Sequence, residues 1–162
     1  MLNGAWVLPR TDEHAALFAQ LADMVRGQGG SATVFTTQAM SMAEQEGIMA
    51  RFPADRAREY DEFAERCRGF LAEIERETEL QKFTFAELEE IEDDLQKLAT
   101  WLGKIQKRDF FPDHRASEAA GALERCSSAL RSFAAAVYIH EGIEPPSGGE
   151  FAGNIRNLKL VR

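Results

Sequence analysis

Leu88, Ile91, Leu95, Leu98, Leu102 and Ile105 follow one another in alternating steps of three and four, without a break. A helix turns once in about 3.6 residues, so this spacing holds all six side chains on one narrow stripe. Such a stripe is satisfied only by burial against other helices, as in a coiled coil. The seam commits this part of the chain to packed helices. Ahead of it, Thr84-Phe-Ala-Glu87 has capping-box spacing, in which hydroxyl and carboxylate satisfy the first free N–H groups. The predicted helix spans 85–108.

Its neighbours carry the same period. Residues 54–82 place Tyr60, Phe63, Cys67, Phe70 and Ile74 three and four apart. A last helix from about 113 to 139 would bury Ala116, Ala119, Leu123, Cys126, Leu130, Phe133 and Val137. Ser41-Met-Ala-Glu44 is a second capping box, and the short helix it opens should stop before Pro53. Long helices joined by short turns pack as an antiparallel hairpin or three-helix coil.

The first 40 residues read differently. AWVL (5–8) and SATVFTT (31–37) are β-branched or aromatic runs bounded by Pro9 and by Gly27, Gly29 and Gly30, the pattern of strands. Between them, Thr11 is an expected N-cap for a helix bearing Ala15, Leu17, Phe18, Leu21, Ala22 and Val25, and Gly27 an expected C-cap. The fold class expected is therefore α+β and helix-dominated: a strand–helix–strand unit over 1–40, a helical bundle over 41–140, and a linker with tail over 141–162. The linker reads EGIEPPSGGE, and Ile155, Leu158, Leu160 and Val161 in the tail offer a segment that could dock. Two strands alone leave open edges, which predicts cover by the tail or a homodimer formed through the sheet or through the helical coil.

Composition narrows the function classes. The 162 residues hold 44% hydrophobic and 28% charged side chains, enough for one domain with a core. No apolar run approaches the ~20 residues of a membrane span, and the N-terminus lacks a secretory signal pattern. Cys67 and Cys126 stand far apart with no CxxC, which suggests reduced core thiols and a cytoplasmic setting. A formal charge of −8 opposes non-specific attraction to nucleic acid or anionic membrane.

Catalytic patterns are not evident. RGQGGSA precedes a predicted strand, whereas a phosphate loop opens a helix. There is no GxSxG, and His14, His114 and His140 lie near no serine or cysteine in sequence that would suggest a triad. Glu87 to Asp94 form an acidic run without the Glu-x-x-His pairing of a di-iron bundle, and the cations Lys97, Lys104, Lys107 and Arg108 follow it. That order simply matches the helix dipole. No enzyme, metal or cofactor is expected.

One stretch remains, KIQKRDFFPDH (104–114). If adjacent helices are antiparallel, Arg56 and Tyr60 near the start of one meet Lys107 and Arg108 at the end of the next. Two readings stay open. Arg56, Tyr60, Lys107 and Arg108 form an anion site, or Asp109 pairs with Arg56 while Phe110 and Phe111 plug the bundle end.

The stretches NGAWVLPRTDEH (3–14), GGSATVF (29–35), DRAREY (55–60) and KRDFFP (107–112) run in one order along the chain. In that order they resemble the N-terminal domain of ChrB proteins, bacterial regulators of chromate resistance. The resemblance implies that the first 40 residues are part of a ferredoxin-like sheet, whose remaining strand and helix lie further upstream in most members. It also implies a cytoplasmic role in chromate-responsive transcription, through operator DNA or oxyanion sensing. The residues offered for that role are Arg56, Tyr60, Lys107 and Arg108, supported by Asp109, Phe110 and Phe111. The competing expectation is a dimerisation module that binds neither ligand.

Overall fold

A computed structural model describes residues 8–144 of the chain. Among these residues the secondary structure is helical throughout: α1 (Asp12–Gly27), α2 (Met42–Met49), α3 (Arg51–Glu79), α4 (Phe85–Gln106) and α5 (His114–His140). The chain divides into two compact units, Met1–Met49 and Ala50–Arg162.

The first unit corrects the expected α+β class. Residues 31–37 form no strand, and Val34 and Phe35 within them are exposed. β-Branched residues favour an extended backbone, but a strand exists only when a second strand takes its N–H and C=O groups. No partner strand occurs among the described residues, so the ferredoxin-like strand–helix–strand unit is not formed there. Residues 5–7 of the other expected strand, and the 155–161 tail, lie outside the described residues. The helix between the two runs does form. Thr11 caps it, its hydroxyl accepting from His14 N–H at 3.0 Å.

Its C-terminal signal lies two residues beyond the expected Gly27. Gly29 takes the left-handed conformation (φ +80°), while Gly29 N–H donates to the Arg26 carbonyl and Gly30 N–H to that of Val25. This is the Schellman pattern, which uses the left-handed residue to turn two amides back onto the last carbonyls.

The second unit is an up-down-up bundle of α3, α4 and α5, each packed on the other two. Ring contacts fix the directions. Phe52 at the start of α3 meets Phe110 and Phe111 beyond the end of α4, and Phe85 at the start of α4 meets Tyr138 near the end of α5. The predicted α4 seam is buried in full, from Leu88 through Leu98 to Ile105. On α3 the buried face runs Tyr60, Phe63, Cys67, Phe70, Ile74 and Glu77, which repeats the seam's three-four step. Pro53 falls inside the first turn of α3, where a missing N–H costs nothing, and α2 stops ahead of it.

Glu77 is the charged member of that face, only 3% exposed. Lys82 Nζ lies 3.0 Å from its Oε2 and Arg76 Nη2 lies 2.8 Å from its Oε1. The Lys82 ammonium beside it, and then the hydrogen bonds from Arg76, hold its carboxyl below the usual glutamate range. The clamp has a local purpose. Gln81 is in the left-handed region (φ 54°) without being glycine, and Lys82 N–H bonds back to the Glu77 carbonyl at 3.0 Å. Tying Lys82 to Glu77 at both main chain and side chain offsets the cost of that turn.

Candidate functional site

The bundle end formed by the start of α3 and the α4–α5 connection collects the expected cluster. Tyr60 is reached by continuing the α3 seam toward its N-terminus, and it is 3% exposed. Its hydroxyl donates to Asp109 Oδ2 at 2.8 Å. Burial, reinforced by that hydrogen bond and by the charge of Asp109, pushes the Tyr60 phenol well above its ordinary range. The nearby Arg56 opposes the shift only in part. Tyr60 is therefore a neutral hydrogen-bond donor with its proton already committed.

Asp109 does not hold an arginine, as the structural reading expected. Glu59 does. Its Oε1 lies 2.9 Å from Arg56 Nη1, and its Oε2 lies 2.8 Å from Arg108 Nη2. Arg108 is further fixed by Nε donating to the Lys104 carbonyl at 3.0 Å. One carboxylate thus bridges α3 to the residues that close α4. Arg56 is half-buried at 20% side-chain exposure, whereas Arg108 is 54% exposed. Lys107, the C-cap residue of α4, is exposed.

Phe110 and Phe111 behave as the plug. Phe52 is in ring contact with both, its centroid 6.1 Å from that of Phe110 and 5.5 Å from that of Phe111. Asp113 follows as the N-cap of α5, accepting from Arg115 N–H at 2.8 Å. That backbone hydrogen bond, with Arg115 and His114 adjacent, holds the Asp113 carboxyl below its usual range despite some burial.

Glu59 and Phe52 were not among the residues expected from sequence. Glu59 lies three residues after Arg56, a spacing that pairs side chains on a helix face, so this signal was present. Nothing local to Phe52 marked it as the partner of a loop 58 residues away in the chain. Among the described residues no group of three or more His, Cys, Asp or Glu side chains is placed to hold a metal ion. No described helix is long and apolar enough to cross a membrane.

A family model described as "Protein ChrB, N-terminal" matches residues 1–143. No curated protein and no solved structure matches the chain.

Proposed function

The chain belongs to the family of ChrB N-terminal domains, and from that premise we propose that it is a non-catalytic regulatory domain of the chromate response, acting in the cytoplasm. Its ligand is an oxyanion or operator DNA, met by the cationic end of the bundle. The observation that carries this reading is the Glu59 bridge, which gathers Arg56 and Arg108 onto one carboxylate. A tetrahedral dianion or a phosphate needs converging N–H donors. The bridge keeps two guanidinium groups converged before any ligand arrives, with Lys107 exposed next to Arg108. Glu59 then acts as a stand-in anion that the ligand must displace or share.

The test is titration of the protein with chromate and with its own upstream DNA. Replacing Lys107 and Arg108 together by Ala should weaken binding by about 1.5–3 kcal/mol for each lost charged contact. The same change should alter stability by only about 0–1 kcal/mol, because exposed ion pairs contribute little. Glu59→Gln should act in the opposite direction and tighten binding, since it removes the competing carboxylate. DNA binding should fall steeply with salt as counterions are released. No binding by the wild type, or equal binding by all three proteins, overturns the reading.

A second reading has its own support. Leu17, Leu21, Met24 and Val25 lie on one stripe of α1 and are all exposed, as are Phe35 and Met40. With the sheet edge gone, this apolar stripe is the remaining basis for a homodimer through the first unit. Light scattering at micromolar concentration should then give twice the 18.1 kDa chain mass. Leu17→Glu with Leu21→Glu should return it to the monomer mass. A monomeric wild type excludes this reading.

A further inference from the structure

α3 and α5 run in the same direction in the bundle, and a groove of about 350 Å³ lies between them. Its floor is small and largely apolar, with Ala64, Cys67 and Leu71 from α3 and Ala119 and Ala122 from α5. Its rim is charged. Asp61 and Arg68 stand on α3, Glu118 and Arg125 on α5, and all four are exposed. Cys126 Sγ donates to the Cys67 carbonyl at 3.7 Å, a contact that fixes the register of the two helices. Counted from it, Asp61 and Glu118 lie within about 3 Å of one level along the bundle, and so do Arg68 and Arg125. Each helix separates its acid from its arginine by seven residues, two turns or about 10 Å. The groove therefore has an acidic end and a basic end.

Neither end is used up within the chain. Arg68 meets Glu65 at 2.6 Å, an i, i+3 pair so exposed that it holds the arginine only weakly. Asp61, Glu118 and Arg125 form no hydrogen bond or ion pair with other described residues. Arg115, which also reaches the groove, is held by Asp113 at the start of α5. An oxyanion site would gather cations alone, whereas here two acids and two arginines cancel. The chain as a whole carries a formal charge of −8, so two copies repel in general but not across this face.

We propose that the α3–α5 face is a self-complementary interface and that its partner is a second copy of this chain, packed end for end. A twofold axis lying in the face and crossing both helices sets α3 on the partner's α3 and α5 on its α5, each pair antiparallel. Asp61 then faces the partner's Arg68 and Glu118 faces the partner's Arg125, and the symmetry forms each contact twice. The small floor lets the helices of the two copies approach closely. The other twofold, along the helices, sets acid on acid and arginine on arginine, so the same charges exclude it. These four charges belong neither to the cationic bundle end nor to the exposed stripe of α1.

The experiment exchanges charges between copies. Arg68→Glu with Arg125→Glu makes both ends acidic, and Asp61→Arg with Glu118→Arg makes both ends basic. Each variant alone should pair at least roughly tenfold more weakly than the wild type, because like charges then face each other. Mixed in equal amounts, the two should form the mixed pair far in excess of either like pair, read by native mass spectrometry. Carrying all four substitutions on one chain should restore self-pairing, which excludes loss of folding as the cause. Wild-type pairing should weaken with salt. A wild type that stays monomeric at micromolar concentration, random mixing of the two variants, or no mixed pair at all overturns the proposal. Every variant leaves α1, Arg56, Lys107 and Arg108 untouched. Pairing through α1 therefore gives random mixing, and failure of the anion-binding reading leaves these readouts unaffected.

Discussion

Phe63→Ala should destabilise the bundle by about 3–5 kcal/mol, the cost of a large cavity in a packed core. Phe63 has 0% exposure and lies in the middle of the α3 seam, its ring 5.6 Å from that of Trp101 on α4. Cys67 and Phe70 extend the same face, and the core continues through Leu95, Leu102 and Cys126. Removing the ring takes contacts from two helices at once, and neither can collapse inward without disturbing the layers above and below. A small domain has only about 5–15 kcal/mol of net stability, so the loss is a large share of the whole. Urea unfolding followed by helical circular dichroism should show a much lower midpoint. Leu17→Ala, on the exposed stripe of α1 in the other unit, should stay within about 0.5 kcal/mol of wild type. Equal midpoints for Phe63→Ala and wild type would remove the three-helix core as the source of stability.

Tyr60→Phe should cost about 1–3 kcal/mol, because it leaves the half-buried Asp109 carboxylate without its donor. The ring stays, so packing is nearly unchanged and the loss belongs to the hydrogen bond. The pH dependence gives the effect a signature. Tyr60 releases its proton in the folded state only well above the ordinary tyrosine value of about 10. Its folded-state value is raised, so its contribution is complete below about pH 10 and is lost as pH rises beyond it. The wild type should therefore lose stability above that pH more steeply than Tyr60→Phe. The chain has two tyrosines. Absorbance titration should show one of them ionising late, and the substitution should remove that late step. A wild type without a late ionisation that Tyr60→Phe removes would refute the buried Tyr60–Asp109 bond.

The helices were legible because their signals are local. A three-four seam and a Thr or Ser three residues before Glu each act within one or two turns, whereas the glycine expected to end α1 was misplaced by two residues. The α4 seam and the caps at Thr11, Ser41 and Thr84 are found where the spacing put them. The meeting of Arg56 and Tyr60 with Arg108 and Asp109 followed from antiparallel order, since short connections between long helices leave few alternatives.

Misreadings came where a residue's fate depends on something distant. SATVFTT has strand propensity, but propensity cannot supply a hydrogen-bonding partner, and the described chain offers none. Asp109 and Glu59 are both carboxylates within reach of the arginines, and only the rotation of α3 against α4 decides that Glu59 takes both while Asp109 takes the Tyr60 hydroxyl. The packing of α5 on α3 lays Cys126 against the Cys67 carbonyl, and the path of the α4–α5 connection brings Phe110 and Phe111 onto Phe52. The sequence by itself determined which residues turn inward and where α4 and α5 begin, whereas α3 starts at Arg51 and not at 54 as the spacing suggested. Tertiary structure alone decided which inward residues touch, because helical periodicity specifies a face and not the partner opposite it.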